Sequence, residues 1–417
     1  MTPTSFFNKS EYTLFTLLRL CLHPSGTFGE AESVKLSKKL IYPSLNPEAW
    51  ECLLALADRH EVLALLGSVL DMDKLSGKQR QVVEWKTAKT VHKGIQLQIL
   101  DERITTLLEE EGIRAVTLKG CTVSRFYPVP EYRKTSDLDL FVADEKEAAR
   151  VVEILEENGW KPSEKWHANH HIVLLSENQE VVELHTAWAD DFKDRNLNQY
   201  LNKMQHESVQ HCQLTDCSGG MVYAYETAWQ GFYLLIHMLQ HFVGSGFGLR
   251  NLCDWVVLWK HCVDAKVRDD FWKMVCESDT REFARAVTAI CVKYLGLEEE
   301  KSPVPNIIQA DWELVDGLLR DVLDAGEFGY SEAERMVGMD GTGLFAYVKE
   351  FHHQMHINFP KAGKLVFLWP VLWIETLFRF LNNNRKLNRA PVYEIMKNAG
   401  KRGQLVRRLT SVSGDRE

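Results

Sequence analysis

The chain has 417 residues, of which 45% are hydrophobic and 26% charged, and its formal net charge is −9. This composition is typical of a globular protein, and the length predicts two or three domains with a large core. No run of about 18 uninterrupted apolar residues occurs, so we expect no transmembrane segment. Nine single cysteines, without a Cys-x-x-Cys pair or a secretory signal, predict a reduced, cytoplasmic setting.

Residues 1–95 are predicted to form an N-terminal helical region. Apolar residues recur at helical spacing over 11–21, and a second helix is predicted over 50–70. Asn46-Pro47 is a typical start for that second helix, with asparagine as the cap and proline in the first turn. A third helix is predicted from 78 to about 98, with a continuation towards 111.

Residues 96–195 change character and are predicted to form a small mixed α/β core. Short apolar runs predict strands at 114–118, 137–142, 170–175 and 180–185, and the last two form a hairpin. Helices are predicted at 121–127 and 145–157, and Asn158-Gly159 closes the second of them. The alternation of strands and helices is what a compact α/β unit requires.

The pattern from 196 to 417 is helical again, with the clearest helices predicted at 224–242 and 252–263. A tryptophan-rich segment at 365–381 predicts a buried packing helix, with a helix on a membrane surface as the alternative. Residues 361–417 hold twelve basic and four acidic residues, so a tail of net charge +8 follows an acidic body. The whole chain is therefore predicted to be α+β, with a small mixed-sheet core between two helical regions.

Two aspartates, Asp137 and Asp139, flank Leu138 at the start of an apolar run. Because side chains alternate along a strand, both aspartates point to one face. Carboxylates on one face repel each other unless a cation lies between them, and Mg²⁺ prefers such oxygens together with substrate phosphates. Glu183, on a later predicted strand, is a candidate third ligand or general base. This set predicts phosphoryl or nucleotidyl chemistry with Mg²⁺ or Mn²⁺.

A phosphate-binding turn is predicted at Lys119-Gly120, between a strand and a helix. A glycine lets a phosphate approach the backbone closely, N–H groups at a helix start attract anions, and the lysine adds positive charge. Arg133, four residues before the aspartate pair, is a further phosphate-binding candidate.

Together these motifs resemble the uncharacterised nucleotidyltransferase family of the DNA polymerase β-like superfamily. The resemblance lies in Leu118-Lys-Gly120, Tyr127-Pro128, Arg133, Ser136-Asp-Leu-Asp-Leu140 and Val182-Glu-Leu-His185-Thr-Ala-Trp188, and it extends to 50–70 and 237–255. It implies that divalent metal binds Asp137, Asp139 and Glu183. It also implies that the nucleotide contacts Lys119, Gly120, Arg133 and Ser136. The donor would be an NTP, with ATP expected.

Histidines form a rival set of candidate ligands. His167, His170 and His171 precede the predicted hairpin and His185 ends it, so a zinc site is an alternative. No cysteine or carboxylate completes a familiar zinc spacing, and we favour His185 as a residue that lines the Glu183 pocket or hydrogen-bonds a metal ligand.

A second polar group follows on the predicted C-terminal helices. His237 and His241 share a helix face at i and i+4, without the glutamate of a His-Glu-x-x-His motif. Arg250 follows the glycine-rich run 244–248, and it can pair with Asp254 at i+4. We treat these four residues as candidates for substrate binding or for support of the site.

The sequence thus predicts a metal-dependent nucleotidyltransferase that moves an NMP group from an NTP to an unknown hydroxyl acceptor. Sugar, small-molecule, peptide, protein and RNA acceptors stay open, and no feature specifically indicates nucleic-acid binding. An inactive nucleotide- or partner-binding module of the same fold is the alternative, because Lys119-Gly120-Cys121 replaces the usual Gly-Ser or Gly-Gly turn. A metal-dependent hydrolase that uses the histidines is a third option.

Overall fold

In a computed structural model of the protein, the structure describes residues 6–24, 45–168, 171–178, 180–217 and 219–326, and parts of 352–410. The strands are β1 (Val116–Thr117), β2 (Leu138–Phe141), β3 (Trp160–Ala168), β4 (His171–Ser176), β5 (Val181–His185), β6 (Cys212–Asp216) and β7 (Met221–Tyr225). The α-helices before the third strand are α1 (Lys9–Leu22), α2 (Pro47–Arg59), α3 (Leu63–Leu66), α4 (Gly77–Glu110), α5 (Cys121–Ser124) and α6 (Glu145–Glu157). Those that follow are α7 (Arg195–Ser208), α8 (Thr227–Val243), α9 (Leu249–Lys260), α10 (Ala265–Glu277), α11 (Arg281–Leu295), α12 (Trp312–Ala325), α13 (Trp369–Lys386) and α14 (Val392–Thr410).

The strands form one mixed sheet in the order β3-β4-β5-β2-β1-β7-β6. The pairs β2–β5 and β1–β7 are parallel, and the other neighbours are antiparallel. Helices flank the sheet, and this confirms the predicted α+β class. The parallel pair in the middle of the sheet brings the two predicted carboxylate-bearing strands side by side.

Four predicted strands are confirmed as β1, β2, β4 and β5, while β3, β6 and β7 were not predicted. The prediction that the chain is helical throughout from 196 onward is wrong at β6 and β7. The last residues of β7, Ala224 and Tyr225, are apolar and lie immediately before α8, so they extended the predicted helix to 224. Five-residue strands beside a long apolar helix carry too little periodicity of their own to be separated from it.

The sheet separates two apolar clusters. Leu138, Leu140 and Leu184 point to the face covered by α4 and α6, where they join the smaller cluster. Phe141 points to the opposite face and joins the larger cluster, which contains helices from both ends of the chain. Because side chains alternate along β2, Asp139 lies on the same face as Phe141. The predicted site therefore faces the large helical core.

The predicted helix over 50–70 is interrupted in the structure. Its start is confirmed, since the Asn46 side chain accepts from the backbone N–H of Ala49 at 2.8 Å. The helix ends at Arg59 because Glu61 adopts φ +56°, a left-handed conformation that an α-helix cannot contain. The chain resumes as the short helix α3, and the break turns the Glu61 side chain towards the site described below.

The tryptophan-rich segment becomes the helix α13, but the prediction that it is buried is wrong for one of its faces. Val371, Ile374 and Phe378, which follow one another at helical spacing, are 65%, 69% and 65% exposed. Within the described ranges, no helix is both long and apolar enough to cross a membrane. The division of the chain at 95 and 195 stays a prediction.

Candidate active site

The strands β2 and β5 place the predicted carboxylates together. Asp139 and Glu183 are partners in the parallel register of the two strands, so their side chains lie next to each other on one face. Asp137 lies one residue before β2, and because side chains alternate along a strand, it points to the same face as Asp139. The two strands therefore bring Glu183 next to Asp137 and Asp139, from which it is distant in the sequence, and the three residues form a single acidic cluster.

The acidic cluster opens on a cavity of about 370 Å³, a size typical of small-ligand sites. Every residue proposed for the site except Asp254 contributes to its walls: Lys119, Gly120, Arg133, Ser136, Asp137, Asp139, Glu183, His185, His237, His241 and Arg250. The structure thus assembles eleven of the twelve sequence candidates around one cavity.

Asp139 is the most enclosed of the three carboxylates, at 5% exposed. One of its oxygens, Oδ2, lies 3.2 Å from the Lys119 ammonium, and the other, Oδ1, lies 3.2 Å from Nε2 of His185. Burial opposes ionisation, but the charge of Lys119 and the hydrogen bond from His185 prevail and hold the pKa of Asp139 well below its usual range. Asp139 is therefore an anion in the folded protein.

The other two carboxylates are shifted in the opposite direction. Burial, together with the charges of Asp139 and Asp137, raises the pKa of Glu183 to about 7. Burial and the charge of Asp139 likewise raise the pKa of Asp137. Carboxylates that resist ionisation beside an ionised neighbour form a site in which a cation is stabilised.

One group of side chains has the donor atoms and the proximity that a metal ion requires. Asp139, Glu183 and His185 each offer a ligand atom, and these atoms all lie within 4.8 Å of one another. Nε2 of His185 is also 3.7 Å from a Glu183 oxygen. This group differs from the predicted ligand set, since it contains His185 in addition to two of the three carboxylates.

The Lys119-Gly120 turn follows β1 and leads into α5. Gly120 has φ +70°, a conformation that residues with a side chain rarely adopt, so glycine is required at this position. The Lys119 side chain reaches across the cavity, where its Nζ lies 3.0 Å from Nε2 of His237. Lys119 therefore links the acidic cluster to the histidines of α8.

His237 and His241 are paired on one face of α8, with 3.2 Å between their Nε2 atoms. Burial, followed by the charge of Lys119, lowers the pKa of both imidazoles, that of His241 to about 4. Both rings are consequently neutral at physiological pH, and they serve as hydrogen-bonding groups and not as cations.

Arg250 is held by a residue that the sequence did not single out, Glu61. Its Nε lies 3.6 Å from a Glu61 oxygen, and its Nη1 donates to the backbone carbonyl of Lys134 at 3.0 Å. The Lys134 ammonium also pairs with Glu61. The neighbouring His60 accepts from the backbone N–H of Leu249 at 3.2 Å, so the N-terminal helices fix the start of α9.

Arg133, predicted to contact the nucleotide, is bound to Asp254. Its Nε and Nη2 donate to the two Asp254 oxygens at 2.7 and 2.8 Å, and the Tyr127 hydroxyl donates to Oδ1 at 2.7 Å. The Arg133 side chain is 1% exposed. Its Nη1 donates to Oγ1 of Thr135, which also lines the cavity. The ion pair with Asp254 thus fixes Arg133 in the wall of the cavity.

The rival zinc set is only partly within the described residues. His171 lines the cavity and its ring centre lies 5.1 Å from that of His185, while His170 and the side chain of His167 lie outside the description. Tyr233, Gln240 and Asp190 also line the cavity and were not predicted. Tyr233 precedes His237 by four residues and therefore lies on the same face of α8. This spacing of polar side chains on an apolar helix could have identified Tyr233 from the sequence.

Residues 46–296 match the model of a family described as uncharacterised nucleotidyltransferase, and this range contains every residue of the site. No curated protein matches the chain.

Proposed function

Because the chain belongs to the uncharacterised nucleotidyltransferase family, we propose that it transfers an NMP group from an NTP, with ATP as the expected donor, to a hydroxyl acceptor. We further propose that its mixed sheet is of the DNA polymerase β-like type and that it acts in the cytoplasm. The observation that carries the proposal is the register pairing of Asp139 with Glu183 inside a cavity that Lys119 and Arg250 also line. Carboxylates and cationic side chains around one cavity suit a metal-bound triphosphate.

A divalent cation fits the donor chemistry of this site. Asp137, Asp139 and Glu183 supply carboxylate oxygens, and the raised pKa of Glu183 reflects its burial and its repulsion by Asp139 and Asp137, which a cation would relieve. We therefore assign Mg²⁺ or Mn²⁺ to these residues. When bound, the ion would neutralise charge on the triphosphate and on the departing pyrophosphate.

The chain's own residues have separate roles in this proposal. Lys119 and Arg250 stabilise the phosphate oxygens, and Gly120 and Ser136 allow the triphosphate to lie close to the backbone. Glu183 holds the ion and helps to activate the acceptor hydroxyl as a general base. The neutral histidines of α8 hydrogen-bond the substrate or Lys119.

Binding of a fluorescent ATP analogue to the full chain, with and without Mg²⁺, tests the proposal first, followed by pyrophosphate release with pools of candidate acceptors. Asp139→Asn is expected to weaken Mg²⁺-dependent nucleotide binding at least ten-fold and to abolish release. Asp144→Asn is the matched control, because Asp144 is an exposed helix cap and asparagine caps a helix equally well. If the wild-type protein binds no nucleotide with either Mg²⁺ or Mn²⁺, the proposal fails.

One contact favours the alternative of an inactive nucleotide- or partner-binding module. The Lys119 ammonium lies 3.2 Å from Asp139, so it can neutralise that carboxylate without a metal ion. Such a module would bind nucleotide equally well in EDTA and would release no pyrophosphate with any acceptor.

The hydrolase alternative rests on His185 and His171, which adjoin the carboxylates. Metal analysis of the purified protein separates it from nucleotidyl transfer. Zinc that survives purification would favour hydrolysis, whereas labile Mg²⁺ or Mn²⁺ would favour transfer.

A further inference from the structure

We propose that His185 is itself a metal ligand, through Nε2, so that this site prefers Mn²⁺ to Mg²⁺. The inference rests on the proposed function, because it concerns the same divalent cation. It goes further, since it adds a nitrogen ligand to a carboxylate set and thereby predicts which ion the protein selects.

The backbone positions of the three side chains already favour a shared ligand shell. Glu183 and His185 are two residues apart on β5, so they point to the same face. Asp139 lies beside Glu183 in register, and it belongs to the neighbouring strand. All three side chains thus come from two paired strands, whose hydrogen bonds fix their separation.

The distances between donor atoms agree with coordination of one ion. Ligand atoms about 2.1 Å from a six-coordinate ion, at right angles to each other, lie about 3 Å apart. Nε2 of His185 is 3.2 Å from Oδ1 of Asp139 and 3.7 Å from Oε2 of Glu183. All the ligand atoms of this group lie within 4.8 Å of one another, so small side-chain movements would bring Nε2 and one oxygen of each carboxylate to the corners of one octahedral face.

The surroundings hold the imidazole in this orientation. His185 is 9% exposed, and on its outer side it packs against His171, its register partner on β4, with 5.1 Å between ring centres. Its Nε2 is the nitrogen that faces the carboxylates. The second oxygen of Asp139, Oδ2, contacts Lys119, so His185 and Lys119 approach different oxygens of this carboxylate.

The choice of ion follows from ligand chemistry. Mg²⁺ takes oxygen ligands and keeps much of its water, whereas imidazole nitrogen binds the later divalent ions more strongly. A shell that combines carboxylates with one imidazole therefore favours Mn²⁺ over Mg²⁺. If His185 instead only donates a hydrogen bond to Asp139, it would orient that carboxylate without altering the preference.

Pulsed electron paramagnetic resonance on the full chain loaded with Mn²⁺ alone distinguishes these two arrangements. A directly bound imidazole produces ¹⁴N modulation in the Mn²⁺ signal, and selective ¹⁵N-histidine labelling replaces it with the ¹⁵N pattern. We expect the modulation in the wild-type protein and its loss in His185→Gln. The affinity for Mn²⁺ should fall at least ten-fold in this variant, while the affinity for Mg²⁺ changes less.

Two other histidine variants serve as controls. His171→Gln removes the adjacent ring, and His211→Gln removes an exposed histidine that stacks on Trp229. Both are expected to retain the modulation. If His185→Gln does not fold, labelled wild-type protein together with glutamine variants of the other candidate histidines, His167, His170, His171, His237 and His241, still assigns the nitrogen by elimination.

The outcomes separate this inference from the proposed function. Mn²⁺ binding without ¹⁴N modulation, or with modulation that persists in folded His185→Gln, overturns the role of His185 and leaves a carboxylate metal site. Failure of the wild-type protein to bind Mn²⁺ at all contradicts the metal dependence in the proposed function.

Discussion

Single residues in this protein are held by buried polar contacts, and one group of these contacts centres on Asp254. Asp254 accepts two hydrogen bonds from Arg133 and one from Tyr127, all in a buried setting. The sequence singled out Arg133 and Asp254, but it could not pair them because 121 residues separate them along the chain. Their pairing is a product of the tertiary fold.

Asp254→Asn is expected to lower the free energy of unfolding by about 3–5 kcal/mol, because it leaves the buried Arg133 guanidinium without a counter-charge. Urea denaturation measures the change. Asp264→Asn is the matched control, since Asp264 is an exposed cap of α10 and should change stability by less than about 0.5 kcal/mol. A loss below about 1 kcal/mol for Asp254→Asn would contradict a buried ion pair.

The buried carboxyl group of Asp101 makes the free energy of unfolding depend on pH. It is 2% exposed and accepts from the Thr117 hydroxyl and the Cys121 thiol, and burial raises its pKa to about 7. Because the folded protein binds this proton more tightly than the unfolded chain, Asp101 lowers the free energy of unfolding as pH rises from about 4 to 7. The slope is at most about 1.4 kcal/mol per pH unit.

Asp101→Asn removes this titration, so the stability of the wild-type protein relative to the variant should fall between pH 5 and pH 7 and then level off. Urea denaturation at pH 5, 6, 7 and 8 measures the difference. A difference that stays constant with pH would show that Asp101 titrates normally.

At the scale of elements, the packing of helices α8 and α9 depends on a close contact at one glycine. At Gly231 on α8, a Cβ atom would lie 2.3 Å from Cζ2 of Trp259, which is fully buried on α9. The glycine therefore allows the two helices to approach each other, and α8 and α9 carry His237, His241 and Arg250 into the cavity. The sequence predicted both helices but gave no indication of this contact.

Gly231→Ala is expected to lower the free energy of unfolding by about 1–3 kcal/mol or more, because Trp259 must move in a packed core. Gly94→Ala on α4 is the matched control: its added Cβ meets nothing within 4 Å, and alanine should raise stability by up to about 1 kcal/mol. Thermal or urea unfolding compares them. Equal effects from both substitutions would refute the close approach of α8 and α9.

The helices from the two ends of the chain share one core at the scale of the whole molecule. Leu14 and Leu18 of α1 belong to the same buried cluster as Leu318 of α12. Polar contacts join the same regions, since Arg320 pairs with Glu11 at 2.9 Å and Lys260 donates to the Leu22 carbonyl at 2.7 Å. The predicted N-terminal and C-terminal helical regions are thus packed together and not separated by the sheet.

We therefore expect the described core to unfold in a single cooperative transition. Far-ultraviolet circular dichroism and tryptophan fluorescence should give coincident urea curves, because tryptophans lie in the N-terminal helices, in the sheet and in the C-terminal helices (Trp50, Trp160 and Trp255). Two separated transitions would instead show that the helical regions unfold independently.

The sequence by itself determined several local features of this protein: the strands β1, β2, β4 and β5, the Asp137–Asp139 spacing, the glycine turn and the bounds of α6. Each depends on periodicity or capping within a few residues. Only the tertiary structure decided that Lys119 meets His237, 118 residues away, that Glu61 holds Arg250, and that His185 joins the metal candidates. Such meetings depend on how whole helices pack against the sheet, and no short sequence pattern records that packing.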